Sequence, residues 1–448
     1  MPQTRHSSAI TYTFDPPALR WLLLLPALLA LAGASFAVRW YVGNVVAEYT
    51  STPDADGIEM ARLGTRWAPD SALAHWRLGA LQERNFSAAN LAEAVAEYRL
   101  AVEAEPNDFR YWMELGRALE AAGERESGEK ALRRAVELAP SYSHPRWQYG
   151  NLLLREGRID EAFAELARAA EADLAMQPPV FALASQILGD DQNKIARAFP
   201  SPSLRLQFAL SLINAKKTDE ALRIIQTVSP ADRKLGSATI DETVKSLIAA
   251  NSYHAALSLM RETQADATEL PAPEQVWNGG FETRVAGHDE HPFHWVIDPP
   301  SQAQITTDNS HPHTGQSSLK MVFKSPSKLD SIPVSQTVIV EPDTQYKLQF
   351  YVRTEGLATA QAPLLAVKDL AGQVLASSST APVGTNDWQL ITLTFKTAAK
   401  EEGIMLTFYR QPCGKDPVCP IFGSVWYDDF NLQRLNNAGT TRAVGNRQ

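Results

Sequence analysis

The sequence predicts a multidomain chain, α then β: an N-terminal transmembrane helix, an α-solenoid of paired helices, and a C-terminal antiparallel β-sandwich. Three observations predict it. A single long uncharged run lies near the start. The Ala-, Leu-, Glu- and Arg-rich middle repeats itself at one fixed period. After Leu270-Pro271-Ala272-Pro273 that helical pattern gives way to short alternating runs of β-branched and aromatic residues. The 448 residues, 44% hydrophobic and 21% charged, suit two or three globular units. A net charge of −9 argues against a nucleic-acid binder. Two cysteines are too few for a disulfide framework or a four-thiolate zinc site.

Residues 1–20 read as a short tail and residues 21–41 as the membrane segment. No charge lies between Arg20 and Arg39, and at about 1.5 Å per residue that run nearly spans a ~30 Å hydrocarbon core. Trp21 at one end, with Trp40 and Tyr41 at the other, suits the two interfaces, where amphipathic rings settle. Pro26 is tolerable in a membrane helix. Ala30-Leu31-Ala32 and Ala32-Gly33-Ala34 offer a cleavable signal peptide as the alternative. Both readings export the body of the chain. They predict a single-pass inner-membrane protein with its bulk on the periplasmic side.

Residues 55–265 read as the solenoid, clearest over 71–174. Ala94, Gly128 and Ala162 are 34 residues apart, as are Tyr98, Leu132 and Leu166, and Ala101, Ala135 and Ala169. Gly116 and Gly150 keep the same step, as do Pro106 and Pro140. With Trp112-x-x-Leu115-Gly116 opening its middle unit, the segment resembles the tetratricopeptide repeat, a helix-turn-helix unit of this length. Small residues sit where paired helices approach closely, and large ones fill the space to the next pair. The expected units are 71–106, 107–140 and 141–174, the first with about three extra residues near Asn85. Leu206 to Ile225, turning at Lys216-Lys217-Thr218-Asp219, and Ile240 to Met260, broken at Asn251-Ser252-Tyr253, read as further pairs. Such arrays offer a concave groove to a peptide or partner protein.

Residues 266–275 read as a linker and 276–435 as the sandwich, with 436–448 a disordered tail. Eight strands are expected: Gln304–Thr307, Ser318–Phe323, Ile332–Val340, Tyr346–Thr354, Leu364–Leu370, Trp388–Thr397, Gly403–Arg410 and Ser424–Arg434. The segments Asn278-Gly279-Gly280-Phe281-Glu282, Thr314-Gly315-x-x-Ser318-Leu319 and Val425-Trp426-Tyr427-Asp428-Asp429-Phe430 carry a resemblance in this order. They are similar to the carbohydrate-binding jelly rolls of families 4, 9 and 22, the galactose-binding-like fold. In that family the first and last strands meet, often around a structural calcium. The resemblance implies calcium at Glu282 and, by position, at Asp428 or Asp429; a solvated acidic strand end is the alternative.

Alternation of side chains suggests the glycan face. Tyr346, Leu348, Phe350 and Val352 should face the core, and so should Ile404, Leu406 and Phe408. Tyr351, Arg353, Tyr409 and Gln411 then point outward. If their two strands share a sheet, they combine a ring for a sugar's C–H face with donors for its hydroxyls. The alternative is a solvated or packed face. Trp295, Trp388 and Trp426 are expected in the core or at its edges. Cys413 and Cys419 flank Gly-Lys-Asp-Pro-Val, a spacing that lets the chain turn back and close a disulfide in an exported protein.

His288, His291, His294, His311 and His313 cluster in sequence, but the His-x-x-His-x-x-His spacing beside Pro292 and Asp289-Glu290 lacks the helical register of zinc enzymes and indicates a polar loop rather than a metal site. Serine-hydrolase, zinc-protease and phosphate-loop motifs are absent from the sequence. The expected function is non-catalytic. The solenoid binds a partner protein and the sandwich binds a glycan, in surface polysaccharide assembly or export. Two alternatives are a purely structural, protein-binding sandwich and a glycoside hydrolase.

Overall fold

The computed structural model describes residues 17–50, 54–84, 88–263, 270–283, 285, 292–297, 303–326, 331–415 and 418–435. The tail expected at 436–448, most of the tail at 1–20, the start of the linker, and His288 and His291 lie outside the described residues. The chain divides into two compact units, residues 1–200 and 201–448.

In the first unit, helix α1 (Pro17–Tyr49) runs unbroken through Pro26, and its side chains from Leu24 to Val38 are all exposed. It is long and apolar enough to cross a membrane. Helix α2 (Ala55–Trp67) starts where the Asp54 carboxylate accepts the Gly57 N–H, satisfying one of the donors that a helix start leaves orphaned.

Three helix pairs follow: α3 (Ala72–Glu83) with α4 (Ala88–Ala104), α5 (Phe109–Ala121) with α6 (Arg125–Leu138), and α7 (Ser143–Arg155) with α8 (Ile159–Ala172). The 34-residue step has a steric origin. A Cβ on Gly116 would lie 2.6 Å from Cγ of Leu132, and one on Gly150 would lie 2.7 Å from Cγ of Leu166. The helices of a pair close only over a missing side chain.

A second recurrence escaped the sequence pattern because its chemistry changes from unit to unit. Nε2 of His75 meets the Pro69 carbonyl at 2.9 Å. The Trp112 indole N–H donates to the Pro106 carbonyl at 2.8 Å. The Arg146 guanidinium donates to the Pro140 carbonyl at 2.8 Å. Three different side chains in the opening turn thus satisfy the carbonyl of the proline that precedes it. Helices α9 (Gln177–Ile187) and α10 (Gln192–Ala198) end the unit. Phe199 there meets Phe163 and Phe181 edge-on, at 6.2 and 5.8 Å.

The second unit opens with α11 (Pro202–Asn214), α12 (Thr218–Gln226), α13 (Pro230–Leu235), α14 (Ser237–Ala249) and α15 (Tyr253–Thr263). The turns expected at 216–219 and 251–253 are present. Helix α15 rests against the sandwich: the His254 backbone N–H donates to Glu402, and the Tyr253 ring meets Phe293 edge-on at 6.0 Å.

The sandwich has two five-stranded antiparallel sheets. One runs in the order β1 (Val296–Ile297), β4 (Ser331–Ile339), β9 (Gly403–Tyr409), β6 (Leu364–Lys368) and β7 (Val374–Ser377). The other runs β2 (Ala303–Asp308), β3 (Ser318–Ser325), β10 (Ile421–Arg434), β5 (Gln345–Thr359) and β8 (Gly384–Lys396). All eight expected strands are present, joined by the short β1 and β7. Tyr346, Leu348, Phe350 and Val352 are wholly buried, and Ile404, Leu406 and Phe408 meet them from the opposite sheet around Trp295. The inward parity reading therefore holds on both strands.

The condition for a four-residue glycan platform fails, and that expectation is corrected. Strands β5 and β9 lie in different sheets, so the outward sides of Tyr351 and Arg353 and of Tyr409 face away from each other across the sandwich. Gln411 follows β9 in an exposed loop. Cys413 and Cys419 are joined in a disulfide, with Cα atoms 5.6 Å apart.

Candidate functional site

The site is assembled by a bulge in the last strand. β10 pairs with β5 in regular register from Val425 to Asp428, with Asp428 opposite Tyr351, and resumes at Asn431 opposite Gln349. Between them Asp429 adopts φ +54, a left-handed conformation that β-bulges commonly use. The bulge lets the Phe430 N–H reach the Gly279 carbonyl at 3.0 Å. Only glycine fits there, because a Cβ on Gly279 would stand 2.4 Å from the Phe430 oxygen. The motif 278–282 is thereby docked on β10, and Glu282 is brought towards the aspartate pair.

The loop between β2 and β3 folds onto the same place. Asp428, fully buried, accepts the His313 N–H at 2.7 Å on Oδ2 and the Asp429 N–H at 2.8 Å on Oδ1. Asp429 Oδ1 accepts the Thr314 hydroxyl at 2.7 Å, and Oδ2 lies 2.6 Å from Nδ1 of His313. Glu282 accepts the Gln316 N–H on both oxygens, at 2.9 and 3.0 Å. Burial pushes Asp428 up to about 6; the neighbouring Asp429 charge adds to the shift, while the N–H bonds from His313, Asp429 and Thr314 oppose it.

These three carboxylates are gathered as the sequence implied, all close to where a Cβ on Gly280 would stand. Their oxygens are hard ligands of the kind calcium takes, yet each oxygen already accepts an N–H or O–H from the protein. Among the described residues no three His, Cys, Asp or Glu side chains converge to hold a metal ion. As arranged, the trio forms an internal hydrogen-bond lock.

The lock carries an aromatic surface. The His313 ring stacks on Tyr351 with centroids 3.6 Å apart and meets Trp388 edge-on at 5.5 Å. Beside it opens a cleft of about 700 Å³, bordered by Tyr351, Gln349, Leu390, Asn278, Asn431 and Asp429. A ring, an apolar side chain and the amides of Gln349 and Asn431 can present both a flat apolar patch and donors and acceptors, while the Asn278 amide is held by the Thr283 backbone.

The structure thus unites Tyr351 with Glu282, Asp428 and Asp429, and separates Tyr351 from Tyr409 and Gln411. Tyr409 instead meets the Ser377 hydroxyl at 3.0 Å. Arg353 is engaged by Asp387 at 2.8 Å and lies 5.9 Å from the Trp426 ring centre, so its guanidinium is held by the protein. Trp426 is buried on this outer side, its indole N–H donating to Asp308, and Trp388 sits half-buried on the edge strand.

Sequence reasoning missed His313, Gln349 and Asn431. The outward parity of Gln349 was available. The role of His313 was not, because it depends on how a loop folds over a strand distant in sequence.

Comparison with known proteins agrees with this division. Residues 109–142 match the tetratricopeptide repeat family model, and residues 273–415 match a carbohydrate binding domain. Among curated proteins, DnaJ homolog subfamily C member 3 of Bos taurus is 28% identical over 88 residues, 20% of this chain and 17% of that protein. Its Homo sapiens counterpart is 22% identical over 121 residues, 27% of this chain and 23% of that protein. The chain therefore spans less than a quarter of the length of these relatives. Among solved structures, a CBM4 is 12% identical, covers 36% of this chain and all of its own, and has a TM-score of 0.28. The crystal structure of MamA is 13% identical, covers 44% of this chain and 90% of its own, and has a TM-score of 0.26. The chain combines a helical region bearing a tetratricopeptide repeat with a two-sheet sandwich bearing a carbohydrate binding domain, both of non-catalytic kinds.

Proposed function

We propose that this chain is a membrane-anchored, non-catalytic scaffold whose helical repeats hold a partner protein and whose sandwich binds a glycan in the Tyr351 cleft. Its place would be on the outer side of the inner membrane, in the assembly or export of a cell-surface polysaccharide. The observation that carries the glycan reading is the cleft itself: Tyr351, Leu390 and the amides of Gln349, Asn278 and Asn431 border one groove in a domain of the carbohydrate-binding kind. Helix α1 supports the anchor reading. It is long and apolar enough to cross a membrane, with its side chains from Leu24 to Val38 exposed. Probing a glycan array with the full chain tests the proposal. Retention on one polysaccharide class is expected, and no retention on any glycan would remove the sugar reading.

A further inference from the structure

Helix α1 does not end at the membrane surface; its last turns belong to the folded unit. Three contacts fix the height at which its neighbours meet it. A Cβ on Gly43 would touch Ala68 and the Gly64 carbonyl, at 2.6 and 2.9 Å. The Ser71 hydroxyl donates to Asn44 at 2.6 Å. Nε of Arg77 donates to the Ala47 carbonyl at 3.0 Å. Along α1, residues 43, 44 and 47 thus meet residues 68, 71 and 77. Helix α2 descends towards the apolar segment, α3 climbs away from it, and the turn Ala68-Pro69-Asp70 is their lowest point.

At about 1.5 Å per residue, Gly43 and Asn44 stand only about 5–6 Å beyond Trp40. The interfacial layer of each leaflet is about 5–7 Å deep. The turn therefore falls within the headgroup layer, just beyond Trp40 and Tyr41, the aromatic pair that marks the edge of the span.

The side chains at that level suit such a place. Trp67 is 40% exposed, beside exposed Arg66, while Trp40 and Tyr41 are 46% and 66% exposed. Polarity is graded along α2: its upper end carries Asp54, Asp56 and Glu59, and its lower end Arg66 and Trp67. An indole at the headgroup level, with arginines reaching for phosphate, is the usual chemistry of an interface anchor. Exposed Asp70 is the one group in the turn that opposes an anionic surface.

We infer that the α2–α3 turn rests on the bilayer beside α1, with Trp67 and Arg66 in the headgroup layer. The helical unit is then docked on the membrane at a fixed height, with no flexible leash. This inference rests on the reading of α1 as a membrane span.

The test uses the full chain in nanodiscs containing phosphatidylglycerol, spin-labelled one site at a time at Leu29→Cys, Arg66→Cys, Trp67→Cys and Ala122→Cys. Collisions with oxygen report lipid, and collisions with a nickel chelate report water. Leu29 is expected in the hydrocarbon and Ala122 in water. Labels at 66 and 67 should have oxygen-to-nickel ratios several-fold above that of Ala122 and below that of Leu29. If the labels at 66 and 67 are as aqueous as that at Ala122 while Leu29 is in lipid, the docking is overturned and the anchor stands. If they exclude both reagents, a protein covers the turn and the docking is again overturned. If Leu29 is itself aqueous, the anchor reading falls first.

Discussion

The imidazole of His313 lies flat on the phenol ring of Tyr351, with centroids 3.6 Å apart and planes at 19°. One residue comes from a loop and the other from the middle of β5, and the stack joins two features that the sequence presented separately: an acidic strand end and an outward aromatic. Because His313 also bonds both aspartates, the loop that bears it is a locked part of the cleft wall.

Removing the ring should open that lock. In His313→Ala, the amides of Gln316 and Ser317, which donate to Glu282, should lose protection in hydrogen exchange together with that of Thr314. Core amides of β5 should keep theirs. Unchanged protection in the loop would mean that the backbone holds it without the imidazole.

The first unit should respond to pH through His75. Burial lowers the pKa of this imidazole, but its contacts with Glu97 at 2.6 Å and the Pro69 carbonyl prevail, and the net shift is upward from 6.5. A group raised in the folded state contributes stability that is full below its unfolded value and is lost as pH rises through the folded value. Thermal unfolding of the full chain should therefore show a first-unit midpoint that falls from mildly acid to mildly alkaline pH. His75→Gln should flatten that slope.

Gly116→Ala places a methyl group 2.6 Å from Leu132 Cγ and 3.0 Å from the Gly128 carbonyl. Overpacking of this kind typically destabilises by about 1–3 kcal/mol. Gly150→Ala, one 34-residue step later, should have a similar effect. Urea unfolding followed by circular dichroism measures both. Indifference at either position would show that the helices can part to admit the methyl group.

The oxygens of Glu282, Asp428 and Asp429 are already engaged by donors of the protein, so adding or chelating calcium is expected to leave the unfolding midpoint of the second unit unchanged. A midpoint raised by calcium, and lowered again in Glu282→Gln, would mean that the loop bearing His313 swings away to release the ligands.

How much of this could be read in advance follows from what is periodic. The pairing of Gly116 with Leu132 recurs at a fixed step, so spacing alone located the helix pairs. Alternation from Tyr346 to Arg353 sorted core from surface because one face is fully buried. Sheet order has no such local signature. Nothing within 345–359 or 403–409 records that β5 pairs with β10 and β8 while β9 pairs with β4 and β6. Tyr351 and Tyr409, alike in sequence, therefore ended on opposite faces. The bulge at Asp429, with its φ of +54, is equally hidden, since it goes with the docking of Phe430 on Gly279, a residue distant in sequence. The recurrent capping of Pro69, Pro106 and Pro140 went unseen for another reason: imidazole, indole and guanidinium are unlike as letters and alike as donors.

The most direct measurement of the central claim is the affinity of the full chain for whichever polysaccharide it retains, compared between Tyr351→Ala and Tyr409→Ala. With the ligand in the cleft of the β5 sheet, Tyr351→Ala should lose roughly five- to 150-fold, as removal of a stacking ring of about 1–3 kcal/mol requires, and Tyr409→Ala should bind as the parent does. Loss at Tyr409 with retention at Tyr351 would put the sugar on the other sheet and contradict the account.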